Sequence, residues 1–322
     1  MKTIVVPLDG SAIAEQVLPH VRQLASILAA RVHLLRVISD EEVARVLAHD
    51  GDLLYELGSR SPIEEVDAQR IGDLLRQRAE IYLAAHAAAL RETDIDVEEL
   101  VCDGSPAEQI IGAAEHDYDS MIAMATHGYS GLRRWALGSV ADKVLHAATA
   151  PVFLVRAIAQ PPTGARPWKR ILVPLDGSAL AEQALPLAIT LARRTQAELM
   201  LLQVAVPLVD YVPGLSPFSR PIPTSIAFPD LLREQAQQQL ATTINRFATG
   251  DVAMTPVVLF GYPAETIVDA ASERQADLIV MATHGYSGLQ RWALGSVADK
   301  VLHASAVPLL LVRAQPNQAE SR

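Results

Sequence analysis

Two glycine-bearing segments hold most of the chemistry this chain can offer. Gly128 is followed by nine residues and then Gly138-Ser139, and Gly285 is followed by nine residues and then Gly295-Ser296. A glycine permits close backbone approach or positive φ. A Gly-Ser pair opening a helix leaves unpaired N–H groups and the positive end of the helix dipole facing the loop, which suits a phosphate oxygen. Ser139 can cap that helix or donate to the anion, and Arg133 and Arg134 add charge to the first loop. A second pair of segments supplies carboxylates: Pro7-Leu8-Asp9-Gly10-Ser11 and Pro174-Leu175-Asp176-Gly177-Ser178. Asp9 and Asp176 can contact a ligand or cap the next helix, a task Ser11 and Ser178 can share. His127 and His284 lie in the glycine loops, where hydrogen bonding to a ligand or to backbone suits them better than general-base work.

Other catalytic patterns are missing. There is no G-x-x-x-x-G-K-[ST] loop, no H-E-x-x-H and no Cys/His cluster with metal-ligand spacing. Gly128-Tyr129-Ser130-Gly131 is one residue short of a G-x-S-x-G nucleophile elbow, which makes Ser130 a poor nucleophile. A formal charge of -10 argues against a nucleic-acid partner, whose binding rests on a basic surface. No run approaches the ~18 apolar residues of a spanning helix, and Met1-Lys2 leads straight into Thr3-Ile4-Val5-Val6. The expectation is a soluble, cytoplasmic protein without a membrane partner. Cys102, the single cysteine, ends an apolar run and reads as a buried thiol.

The chain is a tandem duplication. Residues 124–147 recur at 281–304 with one difference, Arg133 against Gln290. Residues 7–19 recur at 174–186, and Gly104-Ser105-Pro106-Ala107-Glu108 corresponds to Gly261-Tyr262-Pro263-Ala264-Glu265. The front motifs are offset by 167 and the later ones by 157, so the first copy is ten residues longer in its middle. The expected organisation is a domain over 1–156, a linker over 157–168 holding three prolines, a second domain over 169–314 and a polar tail over 315–322.

Each copy alternates short apolar runs with helical patterns. The runs are 3–8, 32–38, 97–102, 120–125 and 152–155, then 171–175, 199–206, 255–260, 278–282 and 309–312. They are nearly continuous in Val, Ile, Leu and Met, as in strands buried on both faces of a parallel sheet. Helical patterns span 12–29, about 64–91, 106–115 and 139–147, with Pro106 and Pro263 at first-turn positions and Ser105 as a cap. The fold class predicted is α/β, two doubly wound parallel sheets of five strands. The last strand of each copy is an apolar edge. Bare edges of that kind aggregate, so the expectation is that the two cover each other in an intrachain, pseudo-twofold pair. In such sheets ligands bind beyond the carboxyl ends of strands where the winding reverses. The Asp9 and glycine loops would then be opposite walls of one crevice.

On these motifs the chain resembles a tandem universal stress protein of the nucleotide-binding branch, over nearly all of both halves. That branch carries G-x-x-G-x(9)-G-[ST] after the fourth strand. The matching stretches here are Ala125-Thr126-His127-Gly128 to Gly138-Ser139, and Ala282-Thr283-His284-Gly285 to Gly295-Ser296, with alanine in place of the first glycine in both. The resemblance implies strand order 3-2-1-4-5, pairing through strand five that would also permit a homodimer, and an adenine nucleotide such as ATP, with Mg2+ accompanying the phosphates. It implies ligand contacts from Pro7 and Asp9, from Val37 near the adenine, and from the loop flanked by Met124 and Val140. In the second copy the equivalents are Pro174, Asp176, Val204, and the loop flanked by Met281 and Val297. The function implied is a stress-response sensor or regulator with two quasi-equivalent sites. A nucleotide-free partner-binding module and a slow ATP hydrolase are the alternatives.

Several residues have plainer roles. His146 and His303 sit near a helix C-terminus, where partial positive charge is favourable. Trp135 and Trp292 would anchor the glycine loops, and Asp142, Lys143, Asp299 and Lys300 would form a solvated face. The middle segments differ between the copies: 39–62 is acidic, whereas 206–230 contains six prolines. Both leave the second strand beside the expected crevice, so they should act as unequal covers.

Overall fold

The computed structural model describes residues 1–49, 65–117, 119–126, 137–157, 167–206, 227–283 and 294–314. The chain divides into two compact units, Met1–Ala165 and Arg166–Arg322. Most of the linker and the tail (158–166 and 315–322) lie outside the described residues.

The first unit runs β1 (Thr3–Pro7), a 3-10 turn (Ala14–Val17), α1 (Leu18–Leu28), β2 (Arg31–Ile38), α2 (Asp40–His49), α3 (Glu65–Arg91), β3 (Val97–Asp103), α4 (Pro106–His116), β4 (Ser120–Thr126), α5 (Ser139–Ala147) and β5 (Val152–Arg156). All strand pairs are parallel, in the order β3-β2-β1-β4-β5. Ile4, Val5 and Val6 are each 0 % exposed. Because successive side chains of a strand point to opposite faces, both faces of β1 must be covered. That is why the run is continuous in apolar residues instead of alternating.

The second unit repeats the plan: β6 (Arg170–Leu175), a 3-10 turn (Ala181–Ala184), α6 (Leu185–Thr195), β7 (Glu198–Ala205), α7 (Ala227–Phe247), β8 (Met254–Phe260), α8 (Pro263–Glu273), β9 (Leu278–Ala282), α9 (Ser296–Ala304) and β10 (Leu309–Val312). Its strands are likewise parallel, in the order β8-β7-β6-β9-β10. Each unit is thus the doubly wound 3-2-1-4-5 sheet expected of an α/β fold. Right-handed crossovers place α1 and α3 on one face and α4 and α5 on the other, and α4 packs on α5. The winding reverses between β1 and β4.

Several local expectations need correction. The helix read over 12–29 breaks into a 3-10 turn and α1, with Pro19 in the first turn of α1. Proline has no N–H to give the preceding turn, so an unbroken α-ladder cannot pass through it. Pro186 has the same effect in the second unit. Residues 39–62, marked in the sequence only as an acidic cover, begin with α2. The Glu42 N–H donates to Ser39 Oγ at 3.2 Å, capping a first turn rich in acids that complement the helix dipole. Ser105 occupies the N-cap of α4, but its hydroxyl makes no capping bond. Cys102 is half-buried, not buried. Among the described residues no helix is long and apolar enough to cross a membrane.

His20 on α1 lies against Phe153 of β5, with ring centroids 5.9 Å apart, and its Nδ1 is buried without a hydrogen-bond partner. Burial holds this imidazole below its ordinary pKa. A folded-state pKa below the unfolded one means that the unfolded chain binds the proton more readily. The stability linked to His20 is therefore complete above about pH 6.5 and is lost as pH falls below it. The second copy has Leu187 at this position. Melting curves between pH 8 and pH 5 should fall less steeply for His20→Leu than for the parent chain (a range of about three pH units spanning the imidazole titration); equal slopes would contradict the assignment.

Candidate functional site

The carboxyl ends of β1, β2 and β4 converge with α4 and the start of α5 around a cleft of about 210 Å3 in the first unit. It lies where the winding reverses, as an open α/β sheet requires of a ligand crevice. Of the residues expected to meet a ligand, Pro7, Asp9, Val37, Met124, Ala125, Gly138, Ser139 and Val140 all line it. Thr126 does not; it is buried, and its carbonyl accepts the Ala157 N–H at 3.0 Å. His127 and Gly128, with Ser130, Arg133, Arg134 and Trp135, lie outside the described residues.

The wall after β1 is a tight turn. Gly10 has φ +83°, and Asp9 Oδ1 accepts the Ser11 N–H at 2.9 Å. Ser11 Oγ then accepts the Ala14 N–H at 3.1 Å, opening the 3-10 turn. Both side chains brace this loop although neither residue is the N-cap of the 3-10 turn, which is Ile13: Ser11 bonds its entry, and Asp9 holds the turn with one oxygen while remaining exposed at the cleft. The opposite wall is the N-terminus of α5. Gly138, not Ser139, is its N-cap, and a glycine has no side chain to cap with. The exposed Ser139 hydroxyl is thus not spent on capping, and the first turn of α5 borders the cleft with no cap bond from its N-cap residue. Ala125 brings its methyl to the floor at the end of β4, and Val37, 5 % exposed, does the same from β2.

The second unit places the same residue types on the same elements. Pro174 is buried one residue before the end of β6, and Asp176 Oδ1 accepts both the Ser178 N–H at 3.0 Å and its hydroxyl at 2.6 Å. Met281, Ala282 and Thr283 are buried at the end of β9. The Gly295 N–H donates to the Thr283 carbonyl at 2.8 Å, tying the start of α9 to the end of β9. Ser296 is exposed, Val297 and Val204 are half-buried, and His284, Gly285 and Trp292 lie outside the described residues.

Sequence reasoning missed part of the lining. Arg36, Pro106 and Ile110 also border the first cleft. Arg36 pairs with Glu42, and its Nη1 donates to the Val37 carbonyl at 3.3 Å. Behind the β1 turn, Glu15 accepts the Tyr82 hydroxyl at 3.1 Å and lies 3.5 Å from His86 Nε2. Burial, and then that carboxylate, push Tyr82 well above the ordinary phenol range. The equivalent Glu182 instead accepts the Thr243 hydroxyl at 2.8 Å and an Arg246 guanidinium. One conserved-in-type carboxylate thus anchors the long helix in both units through different partners. The paired i,i+4 contacts of His146 with Asp142 and of His303 with Asp299, each 3.4 Å, are exposed and remote in role from the cleft.

Comparison with known proteins decides the family. The profile of the universal stress protein family matches residues 1–156 and again 167–313. The chain belongs to the universal stress protein family. A universal stress protein of Methanocaldococcus jannaschii is 34 % identical over 149 residues, which is 45 % of this chain and 82 % of that protein. One from Bacillus subtilis is 32 % identical over 150 residues, 45 % of this chain and 99 % of its own length. Both match about one repeat. A universal stress protein from Archaeoglobus fulgidus has the same fold across both repeats, with a TM-score of 0.67 at 22 % identity, covering 97 % of this chain and 98 % of that one.

The universal stress protein turn after β1 makes a direct prediction. A Cβ on Gly10 would meet no atom of the described residues within 4 Å, so Gly10→Ala tests backbone strain. At positive φ an L-residue costs about 1–2 kcal/mol, which should appear as a lower urea midpoint. An unchanged midpoint would mean that the turn relaxes without this conformation.

Proposed function

We propose that each repeat binds an adenine nucleotide, ATP first among them, and that the protein acts as a stress-response sensor or regulator in the cytoplasm rather than as a fast enzyme. The repeats in this reading span 1–156 and 169–314. The supporting observation is the first cleft itself: an exposed carboxylate at Asp9, an apolar floor at Val37 and Ala125, and the glycine-capped start of α5 border one space at the winding reversal. An apolar slot suits a base, a carboxylate suits ribose hydroxyls, and helix N–H groups suit phosphate.

Magnesium fits this arrangement modestly. Among the described residues no group of three or more His, Cys, Asp or Glu could hold a metal. Asp9 is the single carboxylate of the described lining, and one of its oxygens already braces the turn. Mg2+ commonly keeps its waters and is held by one or two carboxylates with substrate phosphates. It would arrive with the nucleotide, with Asp9 within the set of available ligands.

Ala125→Leu adds three carbons to the cleft floor of the first repeat only. Equilibrium dialysis with ATP and Mg2+ should give two sites for the parent chain and one for this variant, with an unchanged far-UV circular dichroism spectrum. A parent chain that binds no nucleotide at millimolar concentration would overturn the reading in favour of a partner-binding module.

A further inference from the structure

Most of the cleft lining is identical in type between the repeats, from Pro7 and Pro174 to Ser139 and Ser296. One position differs in charge. Arg36 of β2 is the single cation among the described lining residues, and its counterpart on β7 is Gln203. The Arg36 side chain is 16 % exposed and its guanidinium pairs with Glu42 of α2, whose side chain is 23 % exposed. Gln203 instead donates from Nε2 to Gln239 Oε1 at 2.5 Å, and its own Oε1 is buried without a partner. At this position the first unit carries a charge held against a carboxylate, and the second an uncharged amide.

The partner of that charge has a second place to go. Ser39-x-x-Glu42 has the spacing of a capping box, and half of the box is made: the Glu42 N–H donates to Ser39 Oγ. In the complete box the glutamate carboxylate turns back to accept the N–H of the cap residue. Here the carboxylate lies on Arg36 instead. An anion arriving in the cleft can take the Arg36 donors while Glu42 swings to the Ser39 N–H, so neither charge is stranded.

We propose that Arg36 is a specificity-determining residue of the first repeat, selecting phosphorylated ligands over uncharged nucleosides by exchanging the Glu42 carboxylate for a ligand oxyanion, and that the second repeat lacks this selection because it has Gln203. The inference rests on the nucleotide reading above and deepens it. Guanidinium suits the task because its planar fork keeps full charge and presents several donors to an oxyanion. Adenosine brings no anion to the exchange and gains nothing from it. The two repeats therefore differ in their ATP-to-adenosine preference and in salt dependence, although their glycine-loop segments are almost the same.

Reciprocal exchange tests this on the full-length chain. Calorimetric titration of the parent with ATP and with adenosine, at low and high salt, should resolve a tighter, salt-sensitive ATP site and a weaker, less sensitive one. Arg36→Gln should weaken the tighter site for ATP by about tenfold, the scale of a hydrogen bond to a charged group. It should flatten the salt dependence of that site and leave adenosine binding unchanged. Gln203→Arg should strengthen ATP binding at the second site and steepen its salt dependence, which keeps the test decisive if the first variant fails to fold. Equal weakening for ATP and adenosine in Arg36→Gln would mean that the pair only positions α2, and would overturn the inference. So would unchanged ATP binding in both variants. A parent chain that binds neither ligand defeats the nucleotide reading itself, a result distinct from a parent that binds both without an Arg36 effect.

Discussion

The structure depends on one constraint of parallel sheets: crossovers must be right-handed. With β1 central, the chain winds outward through β2 and β3 on one side, then returns to place β4 and β5 on the other. Neighbouring loops at β1 and β4 must then leave in opposite directions, and a gap opens between them. Everything that borders the first cleft follows from this. The turn at Gly10 bends the chain off one wall, and the N-terminus of α5 forms the other. Burial of both sheet faces keeps the floor rigid, since Ile4, Val5 and Val6 have no exposure at all.

Duplication has preserved this frame while altering what surrounds it. Glu15 and Glu182 do the same mechanical work, fixing the turn after the first strand to the long helix. One uses a tyrosine hydroxyl beside a histidine, the other a threonine hydroxyl and an arginine. Arg36 with Glu42 and Gln203 with Gln239 form a second contrast of the same kind. Strand and loop motifs that set geometry are shared, and the side chains behind them have diverged. Two repeats that look alike by motif thus offer unlike electrostatic settings.

Legibility followed the range of the interactions involved. The apolar runs mark each of the ten strands among the described residues to within a residue or two, because burial on both faces leaves a continuous hydrophobic signature. Helix α5 began where Gly138-Ser139 suggested, yet the cap was Gly138 and not the serine, since which residue holds the non-helical φ/ψ is a local geometric outcome. Pro19 marks a break that the apolar periodicity of 12–29 runs straight across. Ser39-x-x-Glu42 is a helix-start signal set in a stretch whose net acidity masks it. Arg36 could not be found by periodicity, because a cation inside an apolar strand reads as noise until its partner on α2 is known.

The central claim, an adenine nucleotide seated at the winding reversal of each repeat, is tested most directly by photolabelling with 8-azido-ATP and peptide mapping. The account predicts label on the peptides carrying Val37 and Val204 or the adjoining Asp9 and Asp176 turns, suppressed by unlabelled ATP. Label confined to other surfaces, or label that unlabelled ATP does not suppress, would contradict it.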